Sequence, residues 1–427
     1  MNPSFGSNEV HNGEEAPGPA PGSLGRLLYF GLGVKRWLLL TTIGVALSST
    51  GLAIELKRVL SPYLPDLLPW HLEGVLVAVA GLVAIIFGVY GLYRSVGPLL
   101  FSSASLDSLI HTLYTRRSLG RGPRIVVIGG GTGLSVLLRG LKAYTDNLTA
   151  IVTVADDGGS SGRLRREMGV QPPGDFRNCL VALSDEETLV SELFQYRFDQ
   201  GTGLAGHSFG NLFIAAMSNV TGSFEEALYE SSRVLKIRGQ ILPATMSNVH
   251  LKAVMKDGGV VKGESAITGA GGLIDRVSIE PNDIEAYQPA IEAIRDTQLI
   301  VMGPGSLYTS LLPNLLVPGI ADAVRASDAR KIYVCNVATQ PGETDDFSVE
   351  DHVEVLQAHI FPSIADRVIA NDRPVEPGPR FESRPVSIVG RKLTNATLVT
   401  ADLVEEEHPL RHDSVKLAKL VIDVYHG

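Results

Sequence analysis

A run of four glycines in five residues, between a strand-like and a helix-like segment, constrains the fold of this chain most strongly. Arg124–Ile128 has the composition of a buried strand, the glycines lie at 129–133, and Leu134–Ala143 has the composition of a helix. A second buried strand is predicted at Leu148–Ala155. Parallel strands need a crossover connection, which is usually a helix. The run therefore predicts the beginning of a parallel α/β sheet.

The same alternation continues over the rest of the chain. Further predicted strands are Leu299–Met302 and Lys331–Cys335, and further predicted helices are Ser208–Met217, Phe224–Leu235, Gly319–Ser327 and Val349–His359. Buried strands that alternate with helices are typical of a mostly parallel sheet covered on both faces. We therefore predict a Rossmann-like, doubly wound α/β domain over residues 123–427.

The N-terminal quarter has a different composition. Residues 1–25 form a Pro/Gly-rich tail that is predicted to be disordered. Two uncharged apolar runs follow, at about 37–54 and 74–93, and each is long enough to cross a bilayer as a helix. A signal peptide would contain one shorter apolar region, and a buried hairpin of a soluble protein is the other alternative. We predict a membrane hairpin over residues 26–98 and a basic connector over 99–122.

The charges that flank the two runs predict the orientation of the hairpin. Positive residues precede the first run and follow the second: Arg26, Lys35, Arg36, Arg94, Arg116, Arg117 and Arg121. The short loop between the runs contains only Lys57 and Arg58. Positive charge favours the cytoplasmic side, so we expect an inner-membrane protein whose α/β domain lies in the cytoplasm. The presence of only two cysteines, Cys179 and Cys335, agrees with a reducing compartment.

The net charge limits the partners of the chain. At pH 7 the formal charge is −9, and the sequence pI is about 5.6. Sequence-independent binding to nucleic acid needs a basic face, so we expect no nucleic-acid partner.

The glycine run itself has the composition of a phosphate-binding loop. Glycines let the backbone approach a phosphate, and the beginning of the following helix offers unpaired N–H groups and a positive dipole. The candidate residues are Gly129, Gly130, Gly131, Thr132 and Gly133. Leu134 replaces the third glycine of the dinucleotide fingerprint, and the lysine of a P-loop is absent. The alternative is a tight strand-to-helix turn without a ligand.

A pair of acids follows the second predicted strand. Asp156 and Asp157 precede a Gly/Ser run that contributes Gly158, Ser160 and Ser161 as candidate anion-binding residues. At the end of a strand, such acids hold a ribose hydroxyl or, together with phosphate oxygens, a Mg²⁺ ion. We therefore predict Asp156 and Asp157 as metal ligands, with capping of a turn as the alternative for Asp156.

Three more stretches contain polar residues in glycine-rich or helix-opening positions. Residues 172–178 contribute Asp175, Arg177 and Asn178; residues 206–211 contribute His207 and Asn211; and residues 302–310 contribute Gly303, Gly305 and Ser306. Asp175 is predicted to be a helix N-cap, and the N–H groups of the third stretch are predicted to bind a second anion or a base edge. Structural roles remain open for Arg177 and His207. Asp413 is predicted to cap the last helix.

Six motifs in a fixed order resemble the gluconeogenesis factor family, which is related to the 2-phospho-L-lactate transferases. They are GGGTGLS, ADDGGSSGRLR, PPGDFRN, GHSFGN, GPGSLYTS and NVATQPGET, and the resemblance covers about Arg124 to the C-terminus. It implies a Rossmann-like nucleotide-binding core, UDP-sugars such as UDP-N-acetylglucosamine as ligands, and a role in carbon metabolism and in maintaining the cell wall and cell shape. It also implies that Gly129–Gly133, Asp156, Asp157, Asp175, Asn178, Asn211 and Ser306 lie in the ligand cleft, with Arg411 near the sugar nucleotide.

Three classes of function stay open at this point. The first is a ligand-binding regulatory protein, which we expect to form a homo-oligomer and to act on cell-wall or metabolic protein partners. The second is a Mg²⁺-dependent transferase like the phospholactate relatives, and the third is an NAD-binding oxidoreductase. Catalytic residues are not identified, because the sequence contains no evident Ser-His-Asp, zinc or cysteine-nucleophile arrangement.

Overall fold

The computed structural model describes residues 119–185, 189–373 and 382–427, together with a few helical positions between 45 and 79. The chain divides into two units, Met1–Arg117 and Ser118–Gly427. The predicted tail and nearly all of the predicted hairpin and connector lie outside the described residues. Among the positions that are described, no single helix has the length and hydropathy to cross a membrane; one bent pair, Leu307–Leu315 with Ile320–Ala326, reaches that threshold only when taken together.

The second unit is built on a seven-stranded, fully parallel sheet. The strands of the unit are β1 Ile125–Gly129, β2 Leu148–Val152, β3 Gln240–Pro243, β4 His250–Met255, β5 Val260–Lys262, β6 Ile274–Glu280, β7 Leu299–Met302, β8 Arg330–Val334, β9 Arg367–Asn371 and β10 Thr397–Ala401. The order in the large sheet is β10-β9-β8-β7-β1-β2-β3. Every pair of neighbours in it is parallel. The α/β fold predicted from the sequence is confirmed.

The helices of this unit connect the strands. They are α1 Gly131–Leu141, α2 Gly159–Met168, α3 Gly174–Leu183, α4 Leu189–Gln195, α5 Phe209–Thr221, α6 Phe224–Leu235, α7 Glu264–Ala270, α8 Gln288–Asp296, α9 Leu312–Leu315, α10 Ile320–Ala326, α11 Val349–His359 and α12 Ser414–His426. One turn of π-helix, Leu307–Leu311, precedes α9. The helix predicted at Ser208–Met217 extends to Thr221, and β2 ends three residues before the predicted Ala155.

The core forms around the central strands. All residues of β1 and β7 are buried, which matches their continuous apolar sequences, because helices cover both faces of a parallel sheet. Helix α1 packs closely against the last helix, α12. A side chain at Gly140 would lie 2.0 Å from the carbonyl oxygen of Ser414, so only glycine allows this approach.

A smaller antiparallel sheet, in the order β5-β4-β6, lies between β3 and β7 in the sequence. Strand β4 alternates between buried and more accessible residues, as a strand with one covered face does. Helix α7 connects β5 to β6. The sequence analysis did not predict this sheet or its helix.

Candidate functional site

The order of the strands places a crevice beside β1. The chain continues from β1 to β2 on one side, whereas β7 pairs with the other side of β1. In open α/β sheets, ligands bind outside the carboxyl ends of the strands where the order reverses in this way. Here that position lies between the loops that follow Gly129 and Met302, which are the two glycine-rich loops of the sequence.

The two glycine-rich loops are in direct contact. A Cβ atom at Gly133 would lie 2.7 Å from the carbonyl oxygen of Pro304, and one at Gly305 would lie 3.1 Å from the carbonyl oxygen of Gly130. Gly131, the first residue of α1, has a φ of +67°, which favours glycine. Thr132 is exposed at the same end of the helix. The first turn of α1 therefore opens at the crevice.

Asp175 lies at the beginning of α1 and does not cap its own helix. Helix α3 begins at Gly174 with Pro173 as the N-cap, so the predicted N-cap role of Asp175 is wrong. Its carboxyl instead accepts a hydrogen bond from the backbone N–H of Gly131, and a Cβ atom at Gly130 would lie 2.5 Å from its Oδ2. Burial, followed by the charge of Asp156, raises the pKa of Asp175 to about 6.

The acids after β2 hold their surroundings in place. Asp156 Oδ1 accepts a hydrogen bond from Gly158 N at 2.8 Å, and burial raises the pKa of this carboxyl. Asp157 Oδ1 accepts a hydrogen bond from Ser265 N at 2.9 Å, so it binds the first turn of α7. Arg165 is buried beside this pair and donates to the carbonyl oxygens of Val249 and Asp156.

Two further carboxyls, which the sequence analysis did not identify, complete an acidic cluster. Glu264, at the beginning of α7, is half-buried, and its Oε2 is enclosed without a hydrogen-bond partner. Burial raises its pKa to about 9, and the charges of Asp156, Asp175 and Glu343 add to this effect. Glu343 is 2% exposed, and burial raises its pKa as well. No local motif marks Glu264, because α7 reaches the site only through the tertiary fold.

The acidic cluster agrees with a divalent cation in charge and in the type of its donors. Carboxylate oxygens are the ligands of Mg²⁺ and Ca²⁺. Burial raises the pKa of the carboxyls of Asp156, Asp175 and Glu264, and a nearby cation would favour their ionised forms. Within residues 119–185, 189–373 and 382–427, however, no three such side chains are already arranged to coordinate an ion. The fit therefore concerns charge and chemistry and not a preformed coordination shell.

A second polar group links α2 to the segment before α5. The Ser160 hydroxyl lies 2.8 Å from His207 Nδ1, and both residues are buried. Burial, followed by the charge of Arg163, lowers the pKa of His207. The sequence analysis left a structural role open for this histidine, and its position is compatible with one.

Arg177 and Asn211 meet at Ser208. Arg177 Nη1 donates to Ser208 Oγ at 2.5 Å, and Nη2 donates to Asn178 Oδ1 at 2.8 Å. Ser208 Oγ also accepts from Asn211 N, as the cap of α5. Arg177 Nε and Asn211 Oδ1 are buried without partners. Asn314 and His352 also have such an atom, so these atoms alone do not mark a ligand site.

Polar groups in the loop after β7 form hydrogen bonds with other groups of the protein. Gly305 N donates to Asn336 Oδ1 at 2.9 Å, and Asn336 Nδ2 donates to Gly305 O at 2.8 Å. Ser306 Oγ donates to Glu343 and accepts from Thr309 N. The N–H of Gly305 is therefore already bound to Asn336, and the binding of a second anion or a base edge by the N–H groups of this stretch stays a prediction. Gly303, with a φ of +78°, and Gly305 shape the loop against α1.

The C-terminal residues predicted near the site lie at the end of β8. His412 is buried, and its ring forms a hydrogen bond with the backbone of Cys335, which directly follows β8. Burial lowers the pKa of His412 to about 4. Arg411 is exposed beside it. Asp413 accepts hydrogen bonds from Val415 N and Lys416 N, which confirms its predicted capping role.

A cavity of about 620 Å³ lies at the opposite edge of the sheet. Its lining includes Arg124, Asn147 and Gln240, which precede or begin the strands, and Asp296 at the end of α8. None of the glycine-rich loops or clustered carboxyls lines it. The candidate site residues therefore lie outside this cavity.

Comparisons with known proteins agree with this arrangement. Residues 125–426 match the family model described as 2-phospho-L-lactate transferase CofD. The chain is 49% identical over 314 residues to a gluconeogenesis factor of Bacillus subtilis, which covers 72% of this chain and 99% of the relative. It is 48% identical over 421 residues to a Nostoc protein of the same family name, with 93% of this chain and 91% of the relative covered. A crystal structure of a Bacillus halodurans protein superposes with a TM-score of 0.69 and 47% identity, over 71% of this chain and all of that one.

Fold and site together define an α/β protein with a CofD-type domain on a Rossmann-like parallel sheet. Within that class, the chain belongs to the gluconeogenesis factor family. The recognition made from the six sequence motifs is confirmed.

Proposed function

We propose that the α/β domain binds a nucleotide-sugar of the UDP-N-acetylglucosamine type at the carboxyl edge of its sheet. The observation that carries this proposal is the contact of two glycine-rich loops at the switch point beside β1, where the first turn of α1 opens. A diphosphate is the part of the ligand that such a helix end attracts. We place the rest of the ligand beside Arg177 and Asn211, which meet at Ser208.

A diphosphate at α1 would meet Asp175, which already bonds Gly131 N. Two negative groups at one helix end repel each other, so binding requires either a protonated Asp175 or a cation. A Mg²⁺ ion bound between the diphosphate and the acidic cluster would neutralise this charge. We therefore propose that Mg²⁺ strengthens nucleotide binding.

We propose a regulatory role, in which the bound ligand reports the supply of envelope precursors or of carbon to protein partners. The family name of the relatives supports a role in gluconeogenesis. The second candidate is a Mg²⁺-dependent transferase. It is favoured by the CofD family model and by the acidic cluster. An NAD-binding oxidoreductase is less favoured, because Asp157 is bound to α7 and Asp156 to its own loop.

Full-length protein in mild detergent should bind UDP-N-acetylglucosamine in calorimetry, more tightly with Mg²⁺ than without, and return it unchanged by chromatography. UDP alone should bind more weakly, because it lacks the sugar. Release of UDP from the sugar nucleotide would contradict the regulatory role and support the transferase instead. Absence of binding to any UDP-sugar, with or without Mg²⁺, would contradict the proposal itself.

We also propose that residues 26–98 attach the protein to the cytoplasmic face of the inner membrane, from the two apolar runs and their flanking charges. Full-length protein should pellet with membranes and stay there after carbonate extraction. A variant with one aspartate near the middle of each span, Val45→Asp together with Val83→Asp, should be released, because each charge at the centre of a span costs about 3 kcal/mol. Recovery of the unmodified protein in the supernatant would contradict the attachment.

A further inference from the structure

A single buried carboxylate connects three separate segments at the carboxyl edge. Glu343 is 2% exposed and accepts hydrogen bonds from Ser306 Oγ, from Thr268 Oγ1 at 3.0 Å and from Gln340 Nε2 at 3.1 Å. Thr309 Oγ1 lies 3.2 Å from Glu343 Oε1 and 2.7 Å from Ser306 Oγ. Glu343 thus joins the loop after β7, helix α7 and its own turn.

Helix α7 depends on few attachments. Of its residues only Ile267 is fully buried, and Gly263, Gly271 and Gly272, at its two ends, have positive φ angles. Its polar connections to the large sheet are the bond from Ser265 N to Asp157 and the bond from Thr268 to Glu343. The carbonyl oxygen of Thr268 also lies against Gly342, at 2.4 Å from where a Cβ atom would be.

This helix brings Glu264 to the site. Glu264 is the first residue of α7, and its enclosed, unpartnered Oε2 interacts electrostatically with Asp156 and Asp175. The position of Glu264 is therefore set by the two carboxylates that hold α7, Asp157 at its beginning and Glu343 near its end.

We propose that Glu343 is a positioning residue of the ligand site, which keeps α7, and with it Glu264, in place beside the loop after β7. The inference rests on the proposed nucleotide-sugar binding. Glu343 acts through other residues: it fixes the hydroxyls of Ser306 and Thr309 on one side and of Thr268 on the other. Helix α7 is accordingly part of the binding site, and removing a hydrogen bond between α7 and Glu343 lowers the affinity for the ligand.

The variant that tests this link is Thr268→Val, which keeps the volume of an exposed side chain and removes its hydroxyl bonds to Glu343 and to the carbonyl oxygen of Glu264, one turn earlier in α7. Its matched control is Thr221→Val, which removes a hydroxyl bond to Met217 O at the end of α5. Thr268→Val should bind UDP-N-acetylglucosamine about tenfold more weakly, the size of one lost charge-assisted hydrogen bond. Without ligand, amide hydrogens of residues 263–270 should exchange faster, while the thermal midpoint and the exchange of the large sheet stay as in the wild type.

Glu343→Gln should weaken binding more, since one amide cannot accept from all the donors, and should raise exchange in residues 303–311 as well. The Thr221→Val control should match the wild type in binding. Wild-type affinity and exchange in Thr268→Val would overturn the inference, and so would a fall of the thermal midpoint that accounts for the loss of binding. If the wild type binds no UDP-sugar, the proposed function fails, and the exchange of residues 263–270 still decides whether Glu343 holds α7.

Discussion

Replacing Gly131 by alanine should weaken nucleotide-sugar binding by about a hundredfold while leaving the fold intact. A Cβ atom at this position meets only Ser310 Oγ, at 3.7 Å, so the methyl group extends into open space at the beginning of α1. That is where a phosphate must approach the backbone if the loop binds the diphosphate. The cost to stability should be only about 1 kcal/mol, because alanine tolerates the φ of +67° poorly.

The matched control for this strain is Gly222→Ala. Gly222 has a φ of +80° at the end of α5, and a Cβ atom there meets nothing within 4 Å. Both variants should lose similar thermal stability, and only Gly131→Ala should lose affinity in calorimetry. Equal binding by the two variants would show that the first glycine loop is only a turn.

The second large effect should appear in the pH dependence of stability. Glu264 has a pKa of about 9 in the folded protein against an ordinary value of 4.5. The folded state therefore binds more protons than the unfolded state between these values, and the free energy of unfolding falls as pH rises, by up to about 1.4 kcal/mol per pH unit. Asp175 adds a fall in the same direction between 3.8 and about 6.

Glu264→Gln should remove most of this dependence, because glutamine has the shape of the protonated acid and cannot ionise. Urea unfolding at pH 5 should give the variant and the wild type similar stability, whereas at pH 8.5 the variant should be more stable by several kcal/mol. Glu292→Gln, an exposed carboxyl at the opposite edge of the sheet, is the control. If the free energy of unfolding falls equally with pH in the wild type and in Glu264→Gln, the raised pKa of this carboxyl is contradicted.

The parallel strands could be predicted from the sequence because burial on both faces leaves a continuous apolar run. Leu299–Met302 and the helices Phe224–Leu235 and Val349–His359 have the predicted bounds. The antiparallel strands β4, β5 and β6 were missed. The sequences of β4 and β6 alternate apolar with polar residues, β5 has only three residues, and Asp257-Gly258-Gly259 separates β4 from β5, so no apolar run marks this sheet.

The candidate site could be predicted only where its residues are local. The glycine loop and Asp156 follow their strands directly, so the sequence indicates their position. The role of Asp175 depends on the neighbouring helix α1, and the bond between Asp157 and Ser265 spans 108 residues. Contacts of this kind follow from tertiary packing, and a single sequence carries no signal for them.

The position of β1 has a consequence for how the domain forms during synthesis. This strand emerges early from the ribosome, yet its partner β7 follows some 170 residues later, and α1 is covered by the last helix, α12. At an elongation rate of roughly 5–20 residues per second, β1 waits on the order of ten seconds or longer for β7. The apolar surfaces of β1 and α1 stay uncovered for that time, and the ligand crevice cannot exist before β7 has been synthesised. Nascent chains that lack β7 should therefore depend on chaperones and be unable to bind ligand.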